Sequence, residues 1–221
     1  MCGRFALHSD PRVIALQFAL ERLPALPPAR YNIAPTASVL VVRAGAATPR
    51  EGALVRWGLV PRWAKDAKMG ARMNNARAET VAEKPSFREA YRRRRCLVAA
   101  DGFYEWQPVD GRKLPWYVTP ANEPLFAFAG LWESWNGPDG PLETCCIVTT
   151  EANAAMAPIH ERMPVMVFPQ DYARWLDCAG GQDVSDLLAP CAPQAIRTRR
   201  VSTAVNRAAN DVPELIEPLA D

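Results

Sequence analysis

Cys2 follows the initiator and precedes Gly3, and its position decides the chemistry open to it more than its type does. Met1 stands before a small side chain, the situation in which an initiator is normally removed. Removal leaves a free α-amine one Cβ away from a thiol, a 1,2-aminothiol. The amine has a reference pKa of roughly 7.7 to 8.0 and the thiol about 8.5, so both are partly reactive near neutral pH. Toward an aldehyde the nitrogen forms an imine, which the sulfur closes into a stable five-membered thiazolidine. Two other readings stand beside this one. A buried N-terminal cysteine can act as a small hydrophobe, and Met-Cys-Gly also opens N-terminal-nucleophile amidohydrolases and peptidases, in which Cys2 would attack an amide with its own amine as base. A lipid anchor is not expected, because no apolar segment precedes Cys2 and Arg4, His8, Asp10 and Arg12 break up the residues after it.

Three further side chains can supply acid, base or positioning. His160, one of two histidines, sits in Ile159-His160-Glu161-Arg162-Met163-Pro164, between a helix-like stretch and a strand, and imidazole titrates unperturbed near neutrality. Alternation in Asp101-Gly102-Phe103-Tyr104-Glu105-Trp106 puts Phe103 and Glu105 on one face and Tyr104 and Trp106 on the other. A carboxylate among aromatics is desolvated, which raises its pKa and suits a general acid or base; the alternative is an edge-strand glutamate facing water. Asn74-Asn75-Ala76-Arg77-Ala78-Glu79-Thr80 gathers amide, guanidinium and carboxylate groups and reads as a site loop. There Asn75 can hold a reacting hydroxyl or the terminal amine and Arg77 a phosphate, against a plain Asn turn with a surface Arg. Arg56-Trp57-Gly58-Leu59-Val60-Pro61-Arg62-Trp63 interleaves basic and aromatic residues, as stacking of unpaired bases requires. Of its tryptophans, Trp57 reads as core and Trp63 as the stacking candidate or a cap on the core.

The elements that must position these groups are mostly strands. Segments rich in Val, Ile and aromatics at 38–43, 54–59, 95–100, 102–106, 116–119, 125–131, 144–149 and 164–168 are bounded by Gly, Pro, Asp or Asn. Helices are expected after Asp10-Pro11, at 86–94 where Ser86-Phe87-Arg88-Glu89 has capping-box form, and at 153–156, 170–177 and 184–188. The Arg92 to Arg95 run reads as a solvated helix end. Strands grouped together with peripheral helices predict an α+β fold: a single domain over residues 2–218, with a largely antiparallel sheet or pseudo-barrel core flanked by short helices.

Composition narrows the class. The chain has 221 residues, 49% of them hydrophobic, enough to bury a sizeable core. No apolar run reaches the roughly 18 residues of a membrane helix, so no membrane association is expected and a cytoplasmic location is. Six cysteines show no C-x-x-C pair and the two histidines lie far apart, so neither a metal site nor a disulfide framework is signalled and no cofactor is expected. The net charge of +2 announces no polyanion partner by itself, and the predominance of Arg over Lys fits a GC-rich coding bias as well as phosphate binding.

Taken in order, Cys2-Gly3-Arg4-Phe5, Tyr31-Asn32-Ile33-Ala34-Pro35-Thr36, Arg56-Trp57-Gly58-Leu59-Val60-Pro61, Asn75-Ala76-Arg77-Ala78-Glu79-Thr80, Asp101-Gly102-Phe103-Tyr104-Glu105-Trp106, Ala129-Gly130-Leu131-Trp132-Glu133 and Ile159-His160-Glu161-Arg162-Met163-Pro164 resemble the SRAP family, the SOS response-associated peptidases. The resemblance implies a DNA-damage and repair protein that senses abasic sites in single-stranded DNA and crosslinks itself to them through Cys2, after autolytic or aminopeptidase removal of Met1. By the same resemblance Cys2 is nucleophile, Asn75 positions the opened sugar or the amine, Glu105 is general acid or base, and His160 assists formation and reversal of the imine. Arg4, Pro35, Trp63, Arg77, Thr149 and Arg162 are the implied DNA contacts. Some members carry a second aromatic after the position of Trp63 where this chain has Ala64, which implies a smaller base wedge. The implied partner is single-stranded DNA containing an abasic site, bound by a monomer that joins the nucleoid when engaged. A non-covalent single-strand binding module remains the third reading.

Overall fold

Asp10 opens the first helix by accepting a hydrogen bond from the Arg12 amide, and Pro11 occupies the first turn, where its missing N–H costs nothing. The computed structural model describes residues 2–45 and 48–219. Along the described chain run β1 (Phe5–Leu7), α1 (Pro11–Phe18), β2 (Arg30–Ile33), β3 (Ser38–Ala44), β4 (Arg50–Trp57), β5 (Asn75–Arg77), α2 (Arg88–Arg93), β6 (Arg95–Ala100), β7 (Gly102–Val109), β8 (Arg112–Pro120), β9 (Phe126–Gly137), β10 (Gly140–Glu151), β11 (Arg162–Pro164), β12 (Met166–Val167), α3 (Tyr172–Leu176) and β13 (Ile196–Arg200). Ile14 and Phe18, four residues apart on α1, are the side chains that helix buries.

The strands form two sheets in one α+β domain. One is antiparallel throughout, in the order β13-β8-β7-β1-β2. In the other, β10-β4-β3-β6-β9 closes on itself because β9 also pairs with β10, giving a barrel-like ring without open edges. Short β5, β11 and β12 are appended to it. Alternation along the ring strands divides the core in two. Leu40, Val42, Leu97 and Ala99 face the cluster containing Ile14 of α1 and Trp175 of α3. Val39, Val41, Cys96 and Val98 face the cluster containing Phe5, Phe103 and Val118 of the five-stranded sheet. That second cluster also holds Cys2, so this residue near the start of the chain lies inside the layer between the sheets.

Several sequence expectations are corrected. Asn75–Arg77 is a strand, pairing parallel to β10, in place of the expected loop. β4 also pairs parallel to β10, so the antiparallel rule has two exceptions. The 153–156 helix is a hydrogen-bonded turn, in which the Asn153 side chain accepts from the Ala155 and Met156 amides and competes with helix continuation. The capping box at Ser86 does not form; Phe87 is the N-cap of α2 and makes no side-chain cap. Arg95 is buried, donating to the carbonyls of Tyr91, Trp175 and Asp177, so the arginine run is solvated only in part. No described helix is long and apolar enough to cross a membrane.

Candidate active site

Phe5 anchors the N-terminal strand. Its ring meets Trp57 edge-on at 5.2 Å and Phe128 at 5.6 Å, while β1 lies between β2 and β7 with Phe5 opposite Ile33 and Phe103. Three residues upstream, Cys2 is fully buried. On β7 the pleat directs Phe103 into this same core and Tyr104 to the opposite cluster, so Glu105 is brought toward Cys2 with only 2% of its surface exposed. The edge-strand alternative for Glu105 is thereby excluded. Burial raises the Glu105 carboxyl above its ordinary value, and His160 acts in the opposite sense. Burial and the neighbouring Glu105 push the Cys2 thiol up, so Cys2 is held as a thiol rather than a thiolate.

Asn75 comes from the other sheet. The register of β5 on β10 sets Ile147 against Asn75, and Trp57 Nε1 and the Ile147 amide both donate to the carbonyl of Asn74. From there Asn75 Nδ2 donates to the Cys2 carbonyl at 2.7 Å. Its Oδ1 is buried and has no partner among the described residues, which leaves an acceptor beside Cys2 for an incoming N–H or O–H. His160 follows a turn in which its own amide and that of Ile159 donate to Met156 O. Its Nδ1 accepts from the Arg162 amide at 2.9 Å, which places the hydrogen of the neutral ring on Nε2. Glu105 and His160 line one cleft of about 410 Å³ together with Arg4, Trp106, Lys113 and Asn206.

The implied DNA contacts fall at four places. Arg4 borders the cleft of Glu105 and His160, with Nη1 donating to Asn32 Oδ1 and to Val205 O and its guanidinium 5.8 Å from the Trp106 ring. Arg77, Thr149 and Arg162 lie together on β5, β10 and β11. Arg77 is exposed, whereas Arg162 forms a two-pronged pair with Glu79, at 2.5 and 3.0 Å, and donates to Thr149 O. Thr149 is fully buried with its hydroxyl turned toward Ala76 O, so its side chain does not reach the surface. Pro35 occupies a turn closed by Ala37 N donating to Ala34 O, with Thr36 at φ 74, a left-handed conformation that costs a β-branched residue energy. Trp63 is 57% exposed but lines a different cleft, beside Arg94 and Glu133, which shares no residue with that of Glu105 and His160. No three His, Cys, Asp or Glu side chains among the described residues gather as metal ligands.

A family model described as SOS response associated peptidase (SRAP) matches residues 1–208. The chain belongs to the SRAP family. Over 98% of its length this SRAP chain is 43% identical to the abasic site processing protein YoqW of Bacillus subtilis, of which it covers 99%. It is 34% identical over 75% of its length to the abasic site processing protein HMCES of Gallus gallus, covering 56% of that protein. Among solved structures, a protein from Bacteroides thetaiotaomicron superposes with a TM-score of 0.86 over 99% of this chain and all of its own, at 23% identity, a likeness of fold. One from Bordetella bronchiseptica gives 0.81 over 91% of this chain and all of its own, at 25% identity.

Sequence reasoning missed the wall of the cleft that comes from the C-terminal segment. Asn32 is buried and donates to the carbonyls of Val205, Arg207 and Asn210, and Asp211 accepts from the amides of Tyr31 and Asn32, so this segment is sewn to β2 and walls the cleft. Trp106 Nε1 donates to Asn206 Oδ1 at 2.7 Å across the junction. Asn32 lies inside the Tyr31–Thr36 family motif and carried a weak signal, whereas a lone Asn206 among Ala, Val and Arg carried none.

Proposed function

We propose that this protein binds abasic sites in single-stranded DNA and forms a covalent thiazolidine crosslink to them through Cys2 once Met1 has been removed. The observation that carries this reading is the hydrogen bond from Asn75 to the Cys2 carbonyl. It ties the N-terminal residue to a strand that also offers a buried unpartnered acceptor, beside a desolvated carboxyl and an imidazole. The names of the relatives, abasic site processing proteins, support the same reading.

An abasic sugar is mostly a closed hemiacetal and must be opened before attack. Glu105, whose burial favours the neutral acid, exchanges the proton that opens the ring. The neutral Cys2 amine adds to C1′ and the resulting carbinolamine loses water to give an imine, with the Nε2–H of His160 as proton carrier. Asn75 Oδ1 accepts from the amine or a sugar hydroxyl during these steps. The Cys2 thiol then adds its sulfur to C1′ and its proton to nitrogen. Closing the ring removes the imine, the electron sink that would otherwise let C2′ lose a proton to a base and the strand cleave by β-elimination, so the lesion is shielded. Arg4, Arg77 and Arg162 hold flanking phosphates without reading sequence, and Pro35 and Trp63 receive splayed bases. Met1 leaves through the chain's own peptidase activity or an aminopeptidase.

The test is a denaturing gel of the Met1-free protein with single-stranded oligonucleotides bearing or lacking one abasic site. An adduct that forms only with the lesion and disappears in Cys2→Ala is expected. Equal adduct in Cys2→Ala would sink the reading. Hydrolysis of glutamine or a peptide in trans with no adduct would replace it with an N-terminal-nucleophile amidohydrolase.

A further inference from the structure

Two cations, Arg4 and Lys113, border the reactive cleft, and they are held very differently. Arg4 is half-buried and one of its guanidinium nitrogens is committed to Asn32 and Val205, so it is held in place by the protein itself. Lys113 is exposed and has no carboxylate partner among the described residues. It stands on β8 opposite Pro108, near the end of a β7–β8 hairpin. The turn there is the two-residue Asp110-Gly111, with φ of 47 and 75. Both residues being left-handed marks the type I′ turn whose twist matches that of paired strands, so the ammonium is carried on a rigid ribbon. Asn206 lies at the same rim. Its Oδ1 is committed to Trp106, which turns its amide hydrogens into the donors left for a ligand.

We infer that Lys113 and Asn206 form a phosphodiester-binding subsite on the five-stranded sheet, taking the DNA backbone on the side of the lesion opposite Arg77 and Arg162. This inference rests on the abasic-site reading. Arg77 and Arg162 belong to β5 and β11, appended to the ring, whereas Arg4, Lys113 and Asn206 belong to the other sheet and the segment sewn to it. His160 lines the cleft with Arg4, Lys113 and Asn206 and stands two residues from Arg162, while Asn75, bonded to Cys2, stands two residues from Arg77. A strand whose abasic sugar reaches Cys2 therefore crosses from one cationic border to the other, and the second border is needed because the cleft it passes over is floored by Glu105. The ammonium acts as a point charge on phosphate, while the Asn206 amide fixes one of its oxygens.

Salt-dependent binding distinguishes this from a surface lysine. Cys2→Ala protein and its Lys113→Ala derivative are titrated with a fluorescent single-stranded oligonucleotide carrying one abasic site, across a series of salt concentrations. Loss of one phosphate contact on a single strand lowers the slope of log K against log salt by about 0.7, so the affinity lost at 0.1 M salt is about fivefold greater than that lost at 1 M. Lys113→Arg restores both quantities. An unchanged slope and affinity in Lys113→Ala overturns the subsite and leaves the crosslinking reading standing. Failure of the parent itself to bind or crosslink abasic DNA overturns that reading instead.

Discussion

Asn75 donates from Nδ2 to the carbonyl oxygen of Cys2 at 2.7 Å, joining a strand appended to the ring to the first residues of the chain. The contact orients the N-terminal peptide where either an amine or a thiol of Cys2 would react. Asn75→Ala removes this donor together with the unpartnered acceptor on the same side chain. Crosslinking is expected to slow by roughly three- to tenfold, the worth of one net hydrogen bond, with the fold retained. Asn75→Asp sets an anion against the carbonyl and slows it further. A time course on denaturing gels reads both, and parental rates in both variants would remove Asn75 from the site.

Glu105 is an acid whose folded pKa is raised above the ordinary carboxylate value of 4.5, burial being the largest cause. The folded state therefore binds this proton more tightly than the unfolded state does. The associated stability is fully present below pH 4.5 and is lost as pH rises through the higher folded value. Glu105→Gln abolishes that component, so its melting temperature falls less between acid and neutral pH than the parent's. The same change removes the acid and base and slows crosslinking by about 10²- to 10⁴-fold. Parallel pH–stability curves would show that Glu105 is not strained by burial in the native state.

Glu79 links the Asn75 strand to the His160 turn. Its two oxygens hold Arg162, whose backbone amide donates to His160 Nδ1. Arg162 is the chief reason the Glu79 carboxyl lies below its ordinary value, so the pair's stability is present above pH 4.5 and is lost as pH falls through the lower folded value. Glu79 is half-exposed, and solvent screening limits the pair to about 0.2–1 kcal/mol. Glu79→Gln is therefore expected to cost less than about 1 kcal/mol in denaturant titrations, yet to weaken DNA binding by loosening Arg162. Unchanged affinity would show that Arg162 is placed by Thr149 O alone.

Glu133 sits in Ala129-Gly130-Leu131-Trp132-Glu133, a motif with no reactive role. Its carboxylate is buried and bridges Arg62, next to Trp63, to Arg94 at the end of α2, each at 2.8 Å. Glu133→Ala leaves Arg94 partly buried beside an empty carboxylate site. Because Arg62 is largely exposed, the cost is set below that of a fully buried broken pair, at about 2–3 kcal/mol. Freed from its anchor, the Trp63 loop moves more, which lowers tryptophan fluorescence anisotropy and weakens binding to single strands. A loss under about 0.5 kcal/mol in urea unfolding, within the error of the extrapolation, would contradict it.

What the sequence made legible comes from local physics. Apolar runs such as Arg95–Ala100 predict strands because every residue there is buried, and Asp10-Pro11 predicts a helix start because both residues act within one turn. β5 was unreadable for the opposite reason. Three residues, Asn75–Arg77, carry no pattern of their own and become a strand only through Ile147, Val148 and Thr149. Cys2, Asn75, Glu105 and His160 are singled out by type and motif as candidates. The cleft wall is not, since Asn206 acquires its meaning from Trp106 and from a C-terminal segment held by Asn32 and Asp211, across a separation no local signal spans.

The proposed chemistry requires that amine and thiol of Cys2 react as a unit, and intact mass reads this without an intermediary. Two preparations, one beginning at Cys2 and one retaining Met1, are incubated with a single-stranded oligonucleotide containing an abasic site and heated in denaturant. The first is expected to give a species whose mass is protein plus oligonucleotide less one water, and the second to give none. The same adduct in equal yield from the Met1-retaining chain would contradict the aminothiol mechanism.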